Sequence, residues 1–71
     1  MIPRYEATHY PGMGAFLDAI DEHGQRHHDL FQRALTICDC RSYATANGFT
    51  VETVHREDGL AVFTWRKPEA A

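Results

Sequence analysis

"MGAFLDAIDEHGQRHHDLFQRALTIC", residues 13–38, decides how the rest of the chain is read. Met13, Phe16, Leu17, Ile20, Gly24, His27, Phe31, Ala34, Leu35 and Cys38 follow the spacing of three and four that lines one helix face. Asp18, Asp21, Glu22, Gln25, Arg26, Asp29, Gln32 and Arg33 fall between them and point away. The stripe keeps its phase across Gly24, and a glycine inside a helix costs only about 1 kcal/mol relative to alanine. The spacing therefore predicts one long helix, bent at Gly24. A helical hairpin capped at Gly24 is the alternative.

Beyond Cys38 the stripe fails, with Arg41, Ser42 and Thr45 where apolar residues were due. Asp39 or Ser42 can cap a short second helix, "RSYATAN", ended by Gly48. "FTVETVHR", "EDG" and "LAVFTWRK" then read as a β-hairpin. A two-residue turn of Asp58 and Gly59 would leave both faces half apolar. A three-residue loop of Glu57, Asp58 and Gly59, with glycine in the bulge position, gathers Phe49, Val51, Ala61, Phe63 and Trp65 on one face. That cleaner face makes it the expected register, with Val54, Leu60 and Val62 on the other side. "RYEATHY", near the N-terminus, is a candidate third strand. The expected fold class is α+β in a single domain: 1–12 an N-terminal arm or strand, 13–47 helical, 49–67 the hairpin, and 68–71 a tail.

The chain has 71 residues, is 44% hydrophobic and 24% charged, and so has the composition of one globular domain. A domain of this size buries only about 60% of the surface its unfolded form exposes, so a metal, a disulfide or a second subunit commonly assists. Net charge is −3, and the seven basic residues are scattered, with Arg66 and Lys67 the one adjacent pair. Nucleic-acid binders carry a basic patch or stripe, so nucleic acid is not an expected partner. No apolar run of about 18 residues predicts a membrane span. The start lacks a charged leader followed by an apolar stretch, and two cysteines without a secretion signal suggest a reducing, cytoplasmic setting.

Candidate chemistry is sparse. On a helix Cys38 and Cys40 point about 160–200° apart, so they neither bond nor share an ion. Cys38 lies in the stripe as a small buried hydrophobe, and Cys40 is expected to be partly exposed. His23 and His27, four apart, would be neighbours on a helix face and form the candidate metal pair. A tetrahedral zinc site would need two more ligands from His9, Glu22 or Glu52. There is no glycine-rich phosphate loop, serine nucleophile elbow or paired-carboxylate motif, so no catalytic residue and no cofactor is expected. Asp18, Asp21 and Glu22 cluster on the outer helix face, as a solvated surface or a docking surface for a basic partner.

"FLDAI", "DLFQRAL" and "CRSYATANGF", within residues 16–49, are similar in spacing to the helical leader domain of the Nif11-like family. That resemblance implies a leader or carrier peptide, a substrate for peptide modification. The chain departs from it by continuing into a hairpin and by lacking a double-glycine processing site.

The expected function is that of a small non-enzymatic regulator or inhibitor, of the phage, mobile-element or bacterial small-regulator type, acting by protein–protein contact. A zinc-sensing or structural module built on His23 and His27 is the alternative. A hairpin of about eight residues at ~3.3 Å each cannot cover a helix of some seven turns, which predicts a two-fold homodimer joined through the helices. Extension of one hairpin's sheet by the other is a further contact, and a helix broken at Gly24 would instead fit a monomer. Gly24, His27 and Phe31 should lie at the helix contact, with Val54, Leu60 and Val62 adding unburied surface.

Overall fold

The structure, a computed structural model, describes residues 2–28 and 30–69. Its elements are β1 (Arg4–Tyr10), β2 (Gly14–Ile20), β3 (Arg26–His27), α1 (Ile37–Ala46), β4 (Val51–Glu57) and β5 (Leu60–Arg66). The strands pair antiparallel in one five-stranded sheet of order β3-β2-β1-β5-β4. The class is mainly β with one short helix. The long helix expected over 13–38 is absent, and with it the α+β assignment falls. "RYEATHY" forms β1, the centre strand of the sheet. Asp29, assigned to the polar face of that helix, lies outside the described residues, as do Ala70 and Ala71 of the tail.

The misleading stripe has a physical origin. β2 lies between β1 and β3 and is buried on both faces near its end, with Leu17, Asp18, Ala19 and Ile20 all buried. A strand covered on both faces carries apolar residues at adjacent positions instead of alternating ones. Phe16, Leu17 and Ile20 therefore imitate helical spacing. Turn chemistry separates the strands. Met13 N–H donates to the Tyr10 carbonyl at 3.0 Å, and Gly12 takes φ +78°, with Pro11 before it, as a type II turn requires. At the next turn Gly24 (φ +78°) donates to the Asp21 carbonyl at 3.0 Å, and Asp21 N–H donates to the Gln25 carbonyl at 3.0 Å. The Asp21 carboxylate Oδ1 also accepts from the N–H groups of His23 and Gln25, each at 2.9 Å. Gly24 thus sits in a hairpin turn and neither bends nor caps a helix.

α1 begins a turn earlier than expected. Thr36 is its N-cap, the hydroxyl accepting from Asp39 N–H at 3.0 Å, so neither Asp39 nor Ser42 starts it. It ends at Asn47, before Gly48 with φ +88°. Its buried residues are Cys40 and Ala44, four apart, and they share the core with the small Ala7, Ala15 and Ala19 of the sheet, which lets helix and sheet approach closely. This reverses the cysteine expectation: Cys38 is exposed and Cys40 buried, because the helix phase is set from Thr36 and not from a stripe running in from Phe31. Tyr5 packs edge-on to Tyr43 and Phe49 with ring centroids 5.4 and 4.7 Å apart, and Trp65 completes this core at 1% exposure.

The hairpin turn is the two-residue one. Glu57 pairs with Leu60, and Asp58 (φ 52°) and Gly59 (φ +79°) both take the positive φ of a type I′ turn. The bulged three-residue loop is therefore incorrect, and Val51 faces away from α1 while Val54 shares a face with Phe63. β4 is an edge strand with no buried residue, so its apolar pattern has nothing to align against and the turn alone sets the register. Phe49 and Trp65 do lie in the core, with Phe63 partly buried against it.

The two sheet margins differ. β3 is only two residues long, but the chain continues along β2 beyond it. Leu30 N–H donates to the Leu17 carbonyl at 3.1 Å, and Ala15 and Leu35 exchange two bonds of 2.7 Å. The outer side of β2 is thereby paired, whereas among the described residues β4 has β5 alone as a neighbour. Among the described residues no helix is long and apolar enough to cross a membrane.

Candidate functional site

Two surfaces stand out, one on each side of the sheet. On the side away from α1, Glu6 of β1 and Asp18 of β2 are direct cross-strand partners. Two carboxylates so placed repel. Arg26 of β3 lies between them and donates to Glu6 Oε1 at 2.5 Å and to Asp18 Oδ2 at 3.0 Å. The hydrogen bond to Glu6 is the main reason that the Arg26 pKa rises, against the opposing effect of burial. Arg4 Nε approaches Glu6 at 4.0 Å and His28 Nδ1 approaches Asp18 at 3.7 Å. This ion cluster forms one end of a cleft of about 470 Å³ whose other walls are Thr8, Tyr10, Met13 and Phe16. The volume suits a small ligand.

The second surface is β4. All seven of its residues are exposed, Val51 at 43% and Val54 at 54%. In a two-residue hairpin the pair flanking the turn, here Glu57 and Leu60, is hydrogen-bonded, and the pattern alternates from there. Glu52, Val54 and Arg56 therefore direct their backbone N–H and C=O groups outward. Their side chains stand on the α1 side, but α1 lies over β1 and β2, leaving Val54 bare beside Phe63. Glu52 is held firmly. Its Oε1 accepts from Arg41 Nε at 2.6 Å and from Trp65 Nε1 at 2.7 Å, and its Oε2 accepts from Arg41 Nη2 at 3.1 Å. The Arg41 contact first, and the indole second, hold the Glu52 carboxyl below the usual range.

The residues singled out from the sequence are dispersed. Gly24 is exposed in the turn, and His27 on β3 places Nε2 3.1 Å from Asp21 Oδ2. That contact, with the turn N–H groups behind it, lowers the Asp21 pKa. Phe31 is exposed and edge-on to Tyr43 at 5.0 Å. The three acids share no face: Asp18 is buried in the cleft, Asp21 organises the turn, and Glu22 is exposed with His23 at 3.7 Å. Leu60 and Val62 belong to the cleft side and Val54 to the opposite side, because the register differs by one residue from the expected one. His23 lies in the turn and His27 on β3, so they are not neighbours on a helix. Their proposed co-ligands His9, Glu22 and Glu52 lie on β1, in the turn and on β4. Among the described residues no group of three or more His, Cys, Asp or Glu is placed to hold a metal. Glu6, Arg26, Arg41 and Trp65 were missed as site residues. Alternation along "RYEATHY" already sets Arg4, Glu6, Thr8 and Tyr10 on one face, but nothing local points to Arg26 as their partner.

The cysteines yield a direct check. Burial first, and Asp39 second, push the Cys40 thiol up to about 11. At pH 8 one thiol per native chain should react rapidly with a disulfide reagent, with the second reacting only on unfolding, and peptide mapping should find the label on Cys38. Rapid labelling of Cys40 would reject this orientation of α1. The folded state favours the neutral Cys40 thiol, so this contribution is intact below the unfolded thiol value near ~8.5 and is lost as pH climbs toward the folded one.

Comparison of the chain with family models, with curated proteins and with solved structures finds no match, and the "FLDAI" segment on which the Nif11-like resemblance rests is strand β2.

Proposed function

We propose that this chain is a small non-enzymatic regulator or inhibitor that binds another protein chain by strand addition along β4. The supporting observation is a seven-residue edge, exposed throughout, with outward backbone groups at Glu52, Val54 and Arg56. The edge strand at the opposite margin, β3, is only two residues long and is followed by isolated bonds from Leu30 and Leu35 to β2, so it offers no comparable run of backbone groups. An open edge is a template for an added strand, and natural domains normally blunt one that has no use. Backbone hydrogen bonds would supply affinity, while the fixed Glu52 and the bare Val54 would select the incoming side chains. A net charge of −3 argues against nucleic acid as the partner. Unpaired Cys38 and Cys40 suit a reducing, cytoplasmic compartment.

A photo-crosslinking side chain at Thr53, on the edge, should capture a protein in cell extract, and the same probe at Met13, in the cleft, should not. Val54→Pro removes an outward N–H without removing a bond to β5, so it should abolish capture while the circular dichroism spectrum is retained. Capture at Met13 alone would overturn the assignment of binding to β4.

A further inference from the structure

We infer that the strand added to β4 is the β4 of a second copy of this chain, paired antiparallel about a two-fold axis at Val54; this rests on the reading of β4 as the binding edge. Val54 is the midpoint of Val51–Glu57. Full antiparallel overlap of the strand with itself sets Val51 opposite Glu57, Glu52 opposite Arg56, Thr53 opposite His55, and Val54 opposite Val54. The acid and the base are thus symmetric about the midpoint, and each copy contributes one to each of two identical Glu52–Arg56 pairs. Opposite charges facing across strands stabilise and like charges destabilise. The same overlap joins Glu52, Val54 and Arg56, the residues with outward backbone groups, to one another, so every outward N–H and C=O gains a partner. A shift of one residue sets outward groups against inward ones. A shift of two, in either direction, sets Glu52 or Arg56 against Val54 and removes both charge pairs.

The side chains fit as well. Glu52 already accepts three hydrogen bonds, from Arg41 and Trp65, out of about four that a carboxylate takes, which leaves a position for an incoming guanidinium. Arg56 donates from Nη1 to the Gly59 carbonyl at 3.3 Å and stands exposed. The two Val54 side chains meet beside the two Phe63 rings, covering the apolar strip that α1 leaves bare. Two-fold pairing is the commonest form of self-association.

The test uses purified protein carrying Cys38→Ser, since Cys38 is exposed. Native mass spectrometry and light scattering at micromolar concentration should give twice the 8.1 kDa chain mass. Under mild oxidation Val54→Cys should form a covalent dimer, because facing residues of a hydrogen-bonded antiparallel pair have Cα atoms about 5.5 Å apart, within disulfide range. Thr53→Cys faces His55 instead and should link at least tenfold more slowly. Arg56→Glu sets Glu against Glu52 twice and should weaken the dimer at least tenfold, with partial recovery in high salt and with Arg56→Lys retaining it. Faster linking at Thr53→Cys than at Val54→Cys overturns the register. A mass of one chain with Val54→Cys unlinked overturns the inference. If the Thr53 photo-probe then captures a different protein in extract, the edge-binding reading survives, and if it captures nothing, both fall.

Discussion

Trp65→Ala is expected to cost about 3–5 kcal/mol, a large share of the stability that so small a domain has. A chain of 71 residues has roughly 4–11 kcal/mol of stability at 0.05–0.15 kcal/mol per residue, so this one substitution removes much of it. Trp65 is 1% exposed, lies in the core with Tyr5 and Phe49, and stacks on Phe63 at 6.1 Å. Its indole also fixes Glu52 at 2.7 Å, so the loss reaches the β4 edge. Phe63→Ala is expected to cost less, about 1–2 kcal/mol, because Phe63 is only partly buried and the figure for a fully buried ring does not apply. Urea unfolding followed by far-ultraviolet circular dichroism separates the two. A greater loss for Phe63→Ala would show that Phe63, and not Trp65, is the more deeply packed of the two rings, against this core.

Gly14→Val should be the next most damaging change. Gly14 has φ +108°, and a Cβ there would lie 3.0 Å from the Leu35 carbonyl oxygen and 3.2 Å from Ala34 Cβ. Backbone strain of about 1–3 kcal/mol and crowding of about 1–3 kcal/mol act together. The obstruction is main-chain, at the point where Ala15 and Leu35 exchange their two bonds, so relief requires the 30–35 segment to leave β2. Amide exchange at Ala15 and Leu35 should therefore accelerate more than exchange in β5. Gly59→Ala is the comparison: φ is +79° but nothing lies within 4 Å of the added Cβ, and the loss should be about 1–2 kcal/mol. Equal losses at the two glycines would show that the segment does not pair with the outer side of β2 as described.

What could be read from the residues alone was local. Tyr and Thr along "RYEATHY" identified a candidate strand, Asp58-Gly59 a hairpin, and Gly48 the end of a helix, since each depends on φ preferences or side chains acting within a few residues. Pro11-Gly12 and the Asp21 to Gly24 turn were equally local signals, overridden by the apparent phase of the stripe. Trp65 and Phe49 were placed in the core correctly, because large aromatic residues in so small a chain have few other places to be buried.

Tertiary structure decided the period of residues 14–27 and, with it, the class of the fold. "GAFLDAI" suits a helix face as well as a strand covered on both sides, and only the presence of β1, β3 and α1 around it selects the strand. The candidate sites depend on the same long-range pairing. Glu6, Asp18 and Arg26 meet because three strands bring them together, and Glu52 meets Trp65 only in the two-residue register. Turns are encoded where they occur, because their cause is short-range. A face, an edge or an ion cluster exists only once neighbours exist to define it, and burial by those neighbours is the interaction that chose among the conformations this sequence permits locally.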